Sequence, residues 1–190
     1  GYVKYHGYND YRGGGHFSGR ITAPLTFAGA IARQVLEKEG VYVGAHALEV
    51  HGISDRPFNP MGEDRQVLES LDSMRLPVLD REAGQAMEAQ ILTVQKAGDS
   101  TGGIVECILY GLPAGLGDPF FDSLESCMAH MMFSIPAVKG LEFGDGFRFS
   151  RLYGSQANDA MHYHDGRVES LSNHNGGILG GITSGAPVLF

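Results

Sequence analysis

Positive charge is concentrated near the start of the chain, in a glycine-rich stretch that runs into an apolar one. Between positions 12 and 36 the sequence carries Arg12, His16, Arg20 and Arg33 but no Asp or Glu, although the whole chain is acidic. Glycines expose backbone amides, a helix start adds about half a positive charge, and arginine forks match carboxylate or phosphate oxygens. We therefore predict an anion-binding site; a plain glycine-rich turn with solvated arginines is the alternative.

A second candidate lies near the end of the chain, where glycines alternate with Ile and Leu over residues 173–185, NHNGGILGGITSG. Such a segment is no surface linker, because its apolar residues need burial while its glycines let another surface approach the backbone. A flat ring system fits such a surface. Tight helix–sheet or strand–strand packing would produce the same composition and remains open.

Metal binding is the weaker interpretation of the histidines at His162, His164 and His174, with Asp165 beside them. Their spacing lacks both the helical i, i+4 pattern and the cysteine pairs of strong zinc motifs, so we predict no metal site. Four carboxylates, most of which flank predicted turns or helix starts, are expected to be structural: Asp99, Glu106, Asp118 and Asp145.

Composition restricts the class of protein further. The 190 residues carry 14 Lys and Arg against 22 Asp and Glu, a net charge of −8, with no basic run. That balance argues against nucleic-acid or membrane-surface binding, and no apolar stretch reaches the roughly 20 residues of a membrane helix. Cys107 and Cys127 lie in apolar segments and are predicted to be reduced, buried thiols of a cytoplasmic protein. A chain without an initial Met that ends in an apolar run is expected to be part of a longer protein.

Periodicity predicts the elements that must position these residues. Helices are expected over 22–39, 63–71 and 80–97, and strands over 41–53 and 104–110. A third long helix should open at Asp118-Pro119 and end near Ile135, with Phe121 in its buried stripe. Short strands are expected over 138–143 and 147–153 around a turn at 144–146. A long polar loop or flexible insertion is expected over 154–175, and β structure over 178–190. Alternating helices and strands indicate an α/β or α+β sandwich in one domain.

Several motifs together resemble the chorismate synthase family. They occur in the family's order and span nearly the whole chain: YRGGG (11–15) with SGR (18–20), GDSTGG (98–103), GLPAGLG (111–117), SIPAVKG (134–140), EFGDGF (142–147) and the segment 173–185. Two departures occur in the first loop, where His16-Phe17 stands in place of the commoner Arg-Ser, and Ile21 in place of Glu.

The resemblance implies an α+β fold, a β-α-β sandwich with helices on antiparallel or mixed sheets and pseudo-repeated units, assembled as a homotetramer. It implies a lyase of the shikimate pathway of aromatic amino-acid biosynthesis. The reaction is a 1,4-elimination of phosphate from 5-enolpyruvylshikimate 3-phosphate, giving chorismate. Reduced FMN is required without net redox change, and the family is associated with NADP.

By the same resemblance, flavin contacts fall on six residues: His16, Phe17, Ser18, Pro136, Ala137 and Gly180. Substrate contacts fall on Ser18 and Arg20. The family's proton-handling residues lie outside both ends, so residues 1–190 are expected to be a single-domain central segment without catalytic residues of its own. A non-catalytic anion-binding or oligomerisation module is the alternative.

Overall fold

A computed structural model describes all residues 1–190, and it confirms a fold of the α+β class. The helices are α1 (Thr22–Lys38), α2 (Arg65–Leu71), α3 (Arg81–Lys96), α4 (Leu124–Met132) and α5 (Gly154–Ala157). The strands are β1 (Tyr42–Val50), β2 (Ile53–Ser54), β3 (Gly103–Tyr110), β4 (Met161–His164), β5 (Arg167–Ser170), β6 (Ile178–Leu179), β7 (Ile182–Thr183) and β8 (Val188–Leu189). Short 3-10 helices cover Gly15–Phe17, Gly19–Ile21, Phe120–Asp122 and Gly146–Arg151.

One four-stranded sheet, in the order β2-β1-β3-β8, organises the chain, and every strand pair in it is antiparallel. The β1–β3 ladder runs from Tyr42 opposite Tyr110 to Val50 opposite Gly103. At Gly44 an added Cβ would lie 2.6 Å from the Leu68 side chain, so glycine here lets α2 approach the sheet closely. The predicted strands therefore form, and they pair directly with each other.

The core lies between this sheet and helices α2 and α3. Its first cluster contains Phe58, Leu68, Leu71, Ile108 and Leu189, and its second contains Val50, Val78 and Met87. The start of α3 is confirmed at Asp80, whose carboxylate accepts hydrogen bonds from the backbone N–H groups of Glu82 and Ala83. Such a cap satisfies amides that the helix itself leaves unpaired.

Helix α1 forms where its periodicity predicts, but its apolar stripe is not covered. Ile31 is 51% exposed and Val35 is 58% exposed. An ion pair from Arg33 to Asp72 at 2.7 Å ties the end of the helix to the residue after α2. The accessible surface of the chain is 13242 Å² for 20.4 kDa, whereas a compact monomer of this mass exposes roughly 8,800 Å². The chain thus leaves apolar surface open that such a monomer would bury.

The predicted strands at 138–143 and 147–153 are wrong. The turn between them forms, with positive φ angles of 55° and 46° at Gly144 and Gly146, but its N–H groups bond to Leu189 and His174 and neither flanking segment forms a strand. The backbone then continues into the 3-10 helix Gly146–Arg151, where the side chain of Phe147 is 79% exposed.

The third long helix begins later than predicted. Phe120 has a φ of +62°, which interrupts the helical conformation, and Ser123 rather than Asp118 caps α4 by accepting a hydrogen bond from the N–H of Ser126. Phe121 is 92% exposed and not part of a buried stripe.

The predicted loop at 154–175 and the predicted burial of both thiols also need correction. The segment contains α5 and the β4–β5 hairpin, with Tyr163 opposite Val168. Cys107 is half-buried rather than fully buried, and Cys127 is exposed. No helix of the chain has the length and apolar character needed to cross a membrane.

Candidate functional site

The loop before α1 is built from two successive 3-10 turns that meet at Ser18. The Ser18 hydroxyl accepts a hydrogen bond from the backbone N–H of Arg20 at 3.3 Å, and the hydroxyl of Thr22 donates to the carbonyl of Gly19 at 2.7 Å. These bonds fix the chain where it enters the helix. Arg20 therefore lies at the start of α1, where the helix dipole adds to its positive charge.

Two of the three arginines in the acid-free window, Arg12 and Arg33, have acidic partners. Asp10 accepts hydrogen bonds from Nε and Nη2 of Arg12 at 2.8 and 2.9 Å, and the bond from the Arg12 side chain lowers the pKa of Asp10. Arg33 pairs with Glu37 at 3.0 Å and with Asp72 at 2.7 Å. His16 and Arg20 are left without acidic partners, so the anion site is smaller than the acid-free window suggests.

Two of the three predicted flavin contacts in this loop lie on open surface, and the third, Ser18, is half-buried. His16 is exposed, and Phe17 is 60% exposed. The Phe17 ring is 6.1 Å from that of Tyr5, centroid to centroid. An exposed, partly supported aromatic ring is well suited to contact a planar ligand.

In the glycine-rich segment, the first glycines serve close packing. Added Cβ atoms on Gly176 and Gly177 would run into the backbones of Gly144 and Pro187. Asn173 is 6% exposed and holds the same turn, because its amide donates to the carbonyl of Pro187 at 2.8 Å and its side-chain oxygen accepts from the N–H of Gly177 at 2.6 Å. The packing interpretation is therefore confirmed for this part of the segment.

The tip of the segment has a different geometry. Gly180 and Gly181, with φ angles of 64° and 89°, form the turn between β6 and β7. The carbonyl of Gly181 accepts from the N–H of Leu124 at 2.9 Å, and a Cβ on Gly181 would lie 2.9 Å from that of Ser123. A Cβ on Gly180 would have no heavy atom within 4 Å. Within this turn, Gly181 is thus packed against the start of α4, whereas the backbone of Gly180 faces open space.

Pro136 and Ala137 follow the end of α4. Ala137 has a φ of +71°, a left-handed conformation that costs a non-glycine residue on the order of 1 kcal/mol or more and occurs often at functional sites. The N–H of Leu124, at the start of α4, binds the Gly180–Gly181 turn. The Gly180–Gly181 turn thus contacts the start of α4, a nine-residue helix roughly 14 Å long, and Ala137 follows the end of that helix at Met132.

The structure does not join all the predicted site residues. No hydrogen bond, ion pair or ring contact links residues 15–20 to Pro136, Ala137 or Gly180.

The three histidines considered as metal ligands do not gather into one cluster. His162 and His164 lie on β4, whereas Nδ1 of His174 is 2.8 Å from the carboxylate of Asp145. The chain has no group of three His, Cys, Asp or Glu side chains that could hold a metal ion.

No sequence motif indicated the buried cluster that His46 forms with two carboxylates. His46 lies between Asp55 and Glu106, at 2.9 Å from each carboxylate. The available signal was a histidine at an inward-facing position of β1, directly opposite Glu106 of β3.

Comparison with known proteins gives the same family over the full length of the chain. The family profile described as chorismate synthase matches residues 1–190. The chorismate synthase of Korarchaeum cryptofilum is 46% identical over 187 residues, 98% of this chain and 51% of that protein. That of Thermococcus kodakarensis is 44% identical over 187 residues, 98% of this chain and 50% of that protein.

A solved structure, "Crystal Structure of Chorismate Synthase", superposes with a TM-score of 0.77 at 28% identity, covering 90% of this chain and 54% of that one. The chain spans about half the length of the curated relatives it matches. With a family profile matched from the first residue to the last, the chain belongs to the chorismate synthase family.

Proposed function

We propose that the intact protein carrying this chain is a chorismate synthase, a lyase that converts 5-enolpyruvylshikimate 3-phosphate to chorismate and phosphate. The observation that carries the proposal is the family match over all of residues 1–190, together with a relative that is 46% identical over 98% of the chain. In the 1,4-elimination, a proton and phosphate leave the substrate and a second ring double bond forms. Residues 1–190 are the single-domain segment that contributes part of this site.

Residues near the start of α1 supply positive charge for an anionic substrate. The substrate carries two carboxylates and a phosphate, and Arg20 stands at a helix start without an acidic partner. A guanidinium and a helix N-terminus both stabilise anionic oxygens, including those that develop as phosphate departs. We assign Ser18 and Arg20 to substrate binding.

The chain also has surfaces that fit a flavin. Gly180 leaves open space above a left-handed backbone, and Phe17 exposes its ring. When bound, reduced FMN supplies electron density transiently to the allylic system as phosphate leaves. We assign six residues to this contact: His16, Phe17, Ser18, Pro136, Ala137 and Gly180.

The wider properties of the enzyme follow from the same assignment. We infer a homotetramer in the cytoplasm, with NADP involved where the flavin is reduced. The uncovered apolar stripe of α1 and the large accessible surface of 13242 Å² support burial against further protein.

The test uses the intact protein, chemically reduced FMN and 5-enolpyruvylshikimate 3-phosphate without oxygen. Equal amounts of chorismate and phosphate are expected, with none formed when only oxidised FMN is supplied. Binding of FMN and substrate without phosphate release would favour the non-catalytic anion-binding module instead.

A further inference from the structure

The carboxylate of Asp159 is saturated by hydrogen bonds from one short stretch of chain. Oδ1 accepts from the hydroxyl of Ser172 at 2.7 Å and from the N–H of His174 at 2.7 Å. Oδ2 accepts from the N–H of Asn175 at 2.9 Å and from its side-chain amide at 2.8 Å. Burial alone would raise the pKa of Asp159, but these hydrogen bonds outweigh burial and lower it. The group is therefore an ionised acceptor, which its donor partners require.

The stretch that Asp159 holds leads directly into the turn at Gly180. Asn173, in its middle, is fixed on the opposite side by the carbonyls of Pro60 and Pro187, at 2.7 and 2.8 Å. Gly177 is bound to Asn173 through its N–H, and β6 follows at once.

The β6–β7 hairpin has only two residues in each strand. A hairpin of that length is not stable by itself, so its position depends on its anchors. At the exit, the hydroxyl of Thr183 donates to the carbonyl of Pro113 at 2.6 Å and accepts from the N–H of Leu116 at 2.9 Å. At the entrance, the anchor is the stretch 172–177, to which Asp159 contributes four hydrogen bonds and Asp145 one, through the ring of His174.

We propose that Asp159 is a positioning residue that holds the entrance of the β6–β7 hairpin so that Gly180 meets the flavin. The inference rests on the proposed function for the identity of the ligand. Asp159 does not touch the ligand; it acts through the backbone of 172–177. An Asn at position 159 would keep one oxygen but turn an NH2 group toward the two donors of Asn175, so an amide is a poor replacement.

The experiment compares Asp159→Asn with Asp165→Asn in the intact protein. Asp165 is the matched control, because its side chain is 89% exposed in the neighbouring β4–β5 turn. FMN affinity is measured by flavin fluorescence in the presence of substrate, and amide hydrogen exchange of residues 176–183 is measured without ligand. For Asp159→Asn we expect FMN affinity to fall roughly tenfold or more and exchange to be faster, since hydrogen bonds to a charged group are lost. Asp165→Asn should match the wild type in both.

Ser172→Ala removes only one of the donors and keeps the proposal testable where Asp159→Asn does not fold. It should weaken FMN binding by about threefold, which is less than the loss expected when a whole charged hydrogen bond is removed from a binding site. A lower melting temperature with unchanged FMN affinity in the folded variants would show that Asp159 is merely structural and would overturn the proposal. If the wild type binds no FMN, the proposed function is contradicted, and unchanged exchange in Asp159→Asn would separately refute the positioning role.

Discussion

Nδ1 of His46 lies 2.9 Å from Oδ2 of Asp55, and neither side chain has any exposed surface. Asp55 also accepts hydrogen bonds from the N–H groups of Leu79 and Asp80, at the start of α3. The other ring nitrogen of His46 meets Glu106, which accepts from the N–H of Phe58 at 2.7 Å. One imidazole thus connects β1, β3 and the entrance of α3.

Replacing His46 should therefore destabilise the fold strongly. In His46→Leu both carboxylates lose a hydrogen bond inside the protein, and each hydrogen bond to a charged group contributes about 1.5–3 kcal/mol. Equilibrium urea unfolding of the intact protein measures the loss. Glu69→Gln is the control, because it breaks the exposed Arg65–Glu69 pair, for which we expect less than about 1 kcal/mol. Equal effects from the two variants would contradict a structural role for the cluster.

Asp159 gives a prediction on the acid side. Its pKa is lowered in the folded state, where hydrogen bonds outweigh burial. The stability it contributes is therefore complete above the unfolded carboxyl pKa of about 3.9 and is lost as pH falls through the lower folded value. The difference in melting temperature between wild type and Asp159→Asn should be largest near neutral pH and shrink below about pH 4. A difference that grows on acidification would contradict this sign.

The two cysteines should react at very different rates. Burial, with a smaller effect from Glu106, raises the pKa of the Cys107 thiol to about 11, whereas Cys127 is exposed. Since the thiolate is the nucleophile, iodoacetamide near neutral pH should label Cys127 first and Cys107 only in denaturant. Mass spectrometry of the folded protein, with Cys127→Ser as the control, measures both. Rapid labelling of Cys107 in folded Cys127→Ser would show that the thiol is not protected.

Local sequence signals predicted an element correctly where its conformation depends on its own residues. Helix α3 is an example: its cap at Asp80 and its periodicity lie within one segment, and both are confirmed. The strands predicted within residues 138–153 do not form, because hydrogen bonds to distant parts of the chain decide the backbone conformation there. The N–H of Gly144 donates to the carbonyl of Leu189 and that of Asp145 to the carbonyl of His174, and neither contact is encoded in the local alternation of apolar residues.

The candidate site was predictable to a similar extent. The acid-free window identified Arg20, but it also counted Arg12 and Arg33, whose partners Asp10 and Asp72 lie outside that window. In the glycine-rich segment, composition left packing and ligand contact as alternatives. The structure assigns packing to Gly176, Gly177 and Gly181 and leaves open space at Gly180, a division that only the backbone neighbours reveal.

Because Gly180 faces open space and Gly181 is packed, substitutions at these two positions can separate an effect on flavin binding from an effect on stability. Gly180 has a φ of +64°, so a β-branched residue would add strain there, whereas Asn tolerates this conformation. Gly180→Asn should keep the melting temperature and weaken FMN binding in the intact protein, because its side chain fills the open space. In Gly181→Ala the added Cβ meets the backbone carbonyl of Asp118, so this control should lose stability. Unchanged flavin fluorescence titrations for a folded Gly180→Asn would remove Gly180 from the flavin site.

Arg20 tests the substrate side of the proposal. Its backbone N–H binds Ser18, and its guanidinium has no acidic partner in the chain. Arg20→Ala in the intact protein should therefore leave the melting temperature nearly unchanged. It should lower kcat/KM ten- to a hundredfold or more, since a charge-assisted contact is worth about 1.5–3 kcal/mol. Arg20→Lys keeps the charge but loses the two-pronged geometry and should recover only part of the activity.

Arg12→Ala is the matched control for this series. Arg12 lies in the same glycine-rich loop, but its guanidinium is held by Asp10 at 2.8 Å on exposed surface. Its loss should change kcat/KM by less than about twofold, because an exposed pair of this kind contributes little. If Arg12→Ala and Arg20→Ala lowered kcat/KM equally, the effect would come from the net charge of the loop. A large fall in melting temperature for Arg20→Ala would instead assign Arg20 to the fold.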